Sequence, residues 1–161
     1  MLWLWQDAMG LNMLKRTRNV PSNLSVMHLL HRGSQHAEEM FSLSIGNSDI
    51  TPRQYEVLSA VAKKDGASQI DIVNATGIDR STTAGLVERL VKKGWLQRRR
   101  AKDDARAYAL RLTAAGKKAM KIGEGACLEA DEKVLAGLSS AQRTKLIKAL
   151  GAIVQELGSP S

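Results

Sequence analysis

What most constrains this 161-residue chain is the order of helix starts and stops in its middle third. Thr51 stands before Pro52, a capping hydroxyl followed by an imino acid whose fixed φ suits a first helical turn, and Tyr55, Leu58, Val61 and Ala62 then recur on one face. Asp65-Gly66 stops that helix. Ser68 opens a short one with Ile70, Ile72 and Val73 apolar, and Thr76-Gly77 closes it, because Gly takes the left-handed conformation a helix end requires. Asp79 then caps a helix through Leu86, Val87, Leu90 and Val91 to Lys92-Lys93-Gly94, where cations meet the negative end of the helix dipole. Residues 95–100 and 107–112 are short runs that pair across a charged tip as a hairpin. Helix, short helix, tight Gly-Ile-Asp turn, helix and basic hairpin spell a winged helix-turn-helix.

The flanks are helical too. Asn19-Val20-Pro21-Ser22-Asn23 is a breaker cluster, and Ser22 or Asn23 can cap a long helix through Leu24, Met27, Leu30, Ala37, Met40 and Phe41 to about Leu43. Thr113 caps another, through Ala119, Met120, Ile122 and Ala126 to Val134; Gly116, Gly123 and Gly125 each cost about 1 kcal/mol against Ala and predict a bend. Ser139 or Ser140 opens the last helix, through Leu146, Ile147, Leu150, Ile153, Val154 and Leu157. The expected fold class is therefore mainly α with a small β-hairpin wing. An aromatic content of 4% and three prolines agree, since sandwiches and barrels draw on aromatic and β-branched residues.

Residues 1–21 read as an N-terminal extension and 22–158 as one subunit. The apolar stretch with Trp3 and Trp5 precedes its cations Lys15, Arg16 and Arg18, the reverse of a secretory signal. No run approaches the roughly 18 apolar residues that cross a bilayer, so no membrane partner is expected. The single Cys127 excludes an intramolecular disulfide framework and a cysteine-rich zinc site, and fits a reducing cytoplasm.

The net charge of +8 is unevenly placed. From Arg80 to Lys121 there are 13 basic residues against Glu88, Asp103 and Asp104, a net of +10, whereas the rest of the chain has 11 basic against 13 acidic residues, a net of −2. A local patch of this kind selects polyanions. At its start, Arg80, Ser81, Thr82 and Thr83 supply short polar side chains of the sort that read base edges in a major groove, although such residues also simply cap helices. Ala84 and Gly85 keep the helix slim.

Residues 50 to 118 resemble the MarR (multiple antibiotic resistance regulator) family of bacterial transcription factors. The resemblance lies in Ile50-Thr51-Pro52-Arg53-Gln54-Tyr55-Glu56-Val57-Leu58, in Asp79-Arg80-Ser81-Thr82-Thr83 with Leu86-Val87-Glu88-Arg89-Leu90-Val91-Lys92-Lys93-Gly94, in Asp104-Ala105-Arg106, and in Leu112-Thr113-Ala114-Ala115-Gly116. It implies a homodimer, with 50–116 as the winged DNA-binding lobe and 22–45 and 117–158 as dimerisation helices, and a pseudo-palindromic operator on double-stranded DNA. Arg106 would enter the minor groove from the wing tip, positioned by Asp104, which the family pattern pairs with Arg89. Many members carry a polar or basic side chain where Ala84 and Gly85 stand, which leaves the base contacts there open. Arg98, Arg99, Arg100 and Lys102 would touch phosphate, as would the amides of Ser68 and Gln69 at a helix start.

Family members commonly respond to aromatic or phenolic acids or their thioesters, and some to oxidants through Cys. His28, Arg32 and His36 lie at i, i+4, i+8, where Arg32 could hold a carboxylate, and Tyr55 is a further pocket candidate; the bland alternative is a solvated or dimer-contact face. No third ligand accompanies the histidines, so no metal is expected, and no cofactor either. Hydrolase, zincin, phosphate-loop and dinucleotide motifs are lacking, which argues against an enzyme. The expected function is a ligand-responsive repressor released by an aromatic effector; the alternatives are a nonspecific architectural nucleic-acid-binding protein and a regulator that senses oxidants through Cys127.

Overall fold

The computed structural model describes residues 25–100 and 108–157. The order of elements is α1 (Val26–Ser44), α2 (Pro52–Lys63), α3 (Gln69–Thr76), α4 (Arg80–Lys92), β1 (Leu96–Arg100), β2 (Tyr108–Leu112), α5 (Ala114–Val134) and α6 (Ser140–Leu157). The expected extension, residues 1–21, lies outside the described residues. The chain divides into two units, Met1–Ser34 and Gln35–Ser161, the boundary falling within α1. In the first, Ser25 Oγ accepts from the His28 N–H at 3.2 Å, and Val26, Met27, Leu29 and Leu30 are exposed. The core lies in the second.

Each helix of the winged lobe starts where its capping residue stands. Thr51 Oγ1 accepts from the Gln54 N–H while Gln54 Oε1 accepts from the Thr51 N–H, both at 3.3 Å, so the first turn of α2 closes on itself. Ser68 and Asp71 make the same reciprocal box at α3, and Asp79 Oδ1 accepts from the Thr82 N–H at 2.9 Å at α4. Gly77 (φ +69) and Gly94 (φ +71) turn the chain out of α3 and α4 in the left-handed region.

The hairpin is antiparallel, with Leu96 opposite Leu112 and Arg100 opposite Tyr108. On the far side of β2, the Leu110 N–H donates to Ala67 O (2.9 Å) and the Gly66 N–H donates to Leu110 O (3.2 Å). This third strip of sheet, in the α2–α3 connection, was not foreseen, because two backbone bonds around Ala67 leave no alternating pattern in the sequence. Ile50, Val57, Leu58, Val61, Ile72, Ile78, Leu86, Val87, Leu90, Leu96 and Leu110 are all buried in one cluster beneath these elements.

α5 packs on this lobe with small residues, Ala119, Ala126 and Ala130 being buried. It runs as one helix of 21 residues through its glycines, of which Gly116 and Gly123 are points of close approach: a Cβ on Gly116 would overlap the Trp95 carbonyl, and one on Gly123 would lie 2.7 Å from Tyr55 Cδ2. α6 is different in kind. None of its described residues is buried, and Leu146, Ile147, Leu150, Ile153 and Val154 are 37–64% exposed. An ion pair of Arg143 with Glu132 (2.8 Å) ties its start to α5.

Candidate nucleic-acid interface

α4 has two faces. Thr83, Leu86, Val87 and Leu90 are buried in the core, whereas Arg80, Ser81, Thr82, Glu88, Arg89 and Lys92 are exposed. The expected base-reading role of Thr83 is therefore corrected: it is wholly buried and its hydroxyl donates to Ile78 O at 3.2 Å, fastening the turn that leads into α4. The Ser-Thr-Thr run reads alike along the sequence, but the helical turn sends its last member inward. Ser81 Oγ donates to Asp79 Oδ1 at 2.7 Å, which leaves its lone pairs free to accept. Hydrogen bonds from Thr82 and Ser81 hold the Asp79 carboxyl well below the usual carboxylate range, so the cap is ionised. The ring of exposed groups at this helix start thus combines one guanidinium with two hydroxyls.

Further along α4, Glu88 pairs with Lys92 at 3.2 Å, and the Arg89 guanidinium lies back beside Gly85, 3.7 Å from where a Cβ there would stand. In the hairpin, Arg98 and Arg99 are exposed; Arg100 ends β1. Lys102, Asp104 and Arg106 lie outside the described residues. No ion pair among the described residues engages Arg80, Arg89, Arg98, Arg99, Lys117, Lys118 or Lys121. Arg111 by contrast pairs with Asp65 (3.2 Å) and Lys93 with Asp49 (2.7 Å), so two of the cations counted in the basic segment are partly neutralised from outside it.

Ser68 also needs correction as a phosphate ligand. Its N–H and its hydroxyl both donate to Asp71 Oδ2, each at 2.8 Å, and Asp71 is bound in turn by Lys64 at 2.7 Å. These bonds, that of Lys64 first, lower the Asp71 carboxyl to about 2. The amide is spent, and a carboxylate already occupies the anion position at this helix start. Gln69, the next residue, is exposed.

Of the expected effector residues, His28, Arg32 and His36 are exposed on α1, with His36 Nδ1 3.8 Å from Glu39. Tyr55 is half-buried, its ring centre 6.3 Å from that of Phe41, and burial raises its phenol above the ordinary value. It lines two open cavities, of about 230 Å³ with Ser59, Lys63, Met120 and Glu124, and of about 360 Å³ with Glu56, Ser59 and Lys63. Ser59 and Lys63 follow Tyr55 by one and two helical turns, a spacing legible in the sequence but not singled out there. Cys127 is half-buried, and burial with Asp131 and Glu56 nearby raises its thiol, the opposite of what a thiolate sensor needs. No group of His, Cys, Asp or Glu among the described residues is arranged to hold a metal, and no helix among them is long and apolar enough to cross a membrane.

A helix-turn-helix with a flanking hairpin, an exposed polar helix start and, among the described residues, a surplus of cations outside any ion pair defines a winged-helix DNA-binding protein. Comparison with known proteins gives the family. Residues 48–107 match the sequence profile of the MarR family. The chain is 30% identical over 147 residues to a proposed transcriptional regulatory protein for the hcr operon of Thauera aromatica, an alignment covering 83% of this chain and 89% of the relative. Among solved structures it resembles Bordetella bronchiseptica BpsR, described in connection with regulation of its DNA binding by 6-hydroxynicotinic acid (29% identity, TM-score 0.73, 80% of this chain and 98% of that one). It also resembles the Streptomyces coelicolor transcriptional regulator PcaV, solved with its natural ligand (26% identity, TM-score 0.74, 81% and 92%). The chain belongs to the MarR family of transcriptional regulators.

Proposed function

We propose that this chain is a homodimeric repressor that binds a pseudo-palindromic operator and is released from it by an aromatic acid. The observation that carries the reading is the sidedness of α4: Thr83, Leu86, Val87 and Leu90 anchor it in the core while Arg80, Ser81 and Thr82 stand out at its start. Short polar groups there suit base edges in the major groove, and Arg98 and Arg99 of the hairpin, with Arg100, Lys102 and Arg106 towards its tip, suit phosphates and the minor groove. Gln69 adds a contact at the start of α3. Asp104 and Arg89 would hold the wing tip.

The dimer is supported by the uncovered apolar side chains of α6 and of α1, within residues 117–158 and 22–45. A two-fold protein places its α4 helices on half-sites about 10 bp apart. BpsR and PcaV support a small aromatic effector. Tyr55 would supply an aromatic wall beside Ser59 and Lys63; on α1, Arg32 with His28 and His36 is by itself a candidate for holding a carboxylate. A regulator of this kind acts on the chromosome, in the cytoplasm, and needs no catalytic group.

The test is a titration of promoter DNA beside the chain's own gene against random duplex, at several salt concentrations, with and without a panel of aromatic acids and with peroxide. Selective binding released by one acid is the expected result. An operator-to-random ratio near unity would instead identify a nonspecific nucleic-acid-binding protein, and release by peroxide alone would return the sensor to Cys127. Arg106→Ala, which removes one cation from each protomer, should weaken operator binding and lower the salt slope by about 1.8 for the dimer.

A further inference from the structure

Lys93, at the end of α4, stands in the basic segment, yet its ammonium faces the protein. It lies 2.7 Å from Asp49 Oδ2, donates to Asp49 O at 3.2 Å and to Gln54 Oε1 at 3.4 Å, and sits 4.4 Å from the centre of the Trp95 ring. These partners come from three places: the connection between α1 and α2, the buried Gln54 in the first turn of α2, and the entry to the hairpin. An ammonium has three N–H donors, and a carboxylate, a carbonyl and an amide oxygen take all three directions. The side chain is only 28% exposed, whereas that of Asp49 is 74% exposed.

We propose that Lys93 is a positioning residue, which pins the C-terminal end of α4 to the start of α2 and thereby sets how α4 is presented to base edges. The inference rests on the DNA-binding reading of the lobe. A helix of 13 residues is about 20 Å long, so once the Lys93 end is released a change of about 3° in the helix direction shifts one end against the other by about 1 Å and re-aims the groups at its start. Base-edge hydrogen bonds weaken within such a displacement. Phosphate contacts from long arginine side chains on the hairpin absorb it. Loss of the pin therefore falls on operator affinity and spares nonspecific affinity.

The experiment takes the full-length protein and the duplex that the wild type selects from a randomised pool. Affinities for that duplex and for a scrambled one are measured across salt for Lys93→Met, Lys93→Arg, Asp49→Asn and the double variant Lys93→Met/Asp49→Asn, with thermal midpoints as a check on folding. Lys93→Met should lose about tenfold in operator affinity with scrambled-duplex affinity and salt slope unchanged. Asp49→Asn should also weaken operator binding, the double variant should be no worse than Lys93→Met, and Lys93→Arg should restore part of the loss. A cation that merely touched phosphate would behave otherwise. Removing it would weaken both duplexes alike and flatten the salt slope, and Asp49→Asn, by freeing the cation, would tighten binding. Either of those results overturns the proposal, and the Asp49→Asn arm decides it even where Lys93→Met is unstable. Failure of the wild type to select any duplex would overturn the DNA-binding reading itself and the proposal with it.

Discussion

The winged lobe and α6 are built from similar proportions of apolar residues and have opposite fates. In the lobe, Val57, Leu58, Ile72, Val87, Leu90 and Leu110 are at most 1% exposed, and each helix start is closed by its own cap. In α6, Leu146, Ile147, Leu150, Ile153 and Val154 lie open, with Arg143 as an ionic tether at one end. Apolar burial stabilises by about 25 cal/mol per Å², so an 18-residue helix none of whose described residues is buried gains little from packing within one chain. The contrast teaches that the lobe is a finished object and α6 half of one. It supports the second copy of the chain as the missing half.

The sharpest way to break that contrast is to put charge on α6. Leu150→Glu with Ile153→Glu should abolish dimerisation, raising the dissociation constant by about a thousandfold if each of the four side chains replaced across a two-fold interface contributes some 1 kcal/mol. Sedimentation would show the monomer. Hydrogen exchange in residues 52–92 should stay protected, because none of α6 lies in the lobe's core; loss of that protection would show that the lobe is not self-sufficient.

The converse variant strikes the lobe and leaves α6 untouched. Gly116→Ala places a methyl group against the Trp95 carbonyl, which already accepts from the Thr113 N–H at 3.1 Å and so cannot swing away. An expected loss of about 3 kcal/mol in urea unfolding follows from overpacking against backbone. Gly125→Ala, with nothing within 4 Å of its Cβ, should gain up to about 1 kcal/mol from helix propensity, and an equal loss at both sites would remove the packing explanation.

A smaller difference separates two neighbours on α4. Thr83→Val keeps the shape but leaves Ile78 O without its hydroxyl donor, at a cost of about 1–2 kcal/mol in stability. Thr82→Val loses the exposed hydroxyl bond to the Asp79 cap, so it should cost less stability than Thr83→Val, at most about 1 kcal/mol, and in addition reduce operator affinity. Equal effects on both quantities from both variants would erase the two-faced reading of α4.

These two threonines also mark what the sequence makes legible. The caps Thr51, Ser68, Asp79 and Thr113 stood where helices begin because capping is a local transaction between neighbours, and local chemistry is written in order along the chain. The element order followed from it. What escaped was set by contacts across the fold: the inward turn of Thr83, the Ala67 bridge to β2, the close approaches at Gly116 and Gly123, and the 44-residue reach of Lys93 to Asp49. Ser68 shows the intermediate case. Its box with Asp71 was present as a Ser-x-x-Asp spacing, but the resemblance drew attention to phosphate and away from the carboxylate three residues on.

The smallest expected effect concerns that same cap. In the folded lobe Asp71 titrates at about 2, chiefly through Lys64 and then Ser68, against 3.8 for an ordinary aspartate. A carboxyl whose folded value is depressed adds stability that is complete above the unfolded value and is lost as pH falls through the folded one. Asp71→Asn should therefore be less stable than the wild type at pH 7, by less than about 1 kcal/mol given its exposure to solvent screening, and the gap should close between pH 4 and pH 2. Urea midpoints of both proteins at pH 7, 4 and 2.5 measure it. A gap that persisted unchanged at pH 2.5 would mean that the bond geometry, and not the ionised carboxylate, holds the start of α3, and the lobe's caps would then be insensitive to acid.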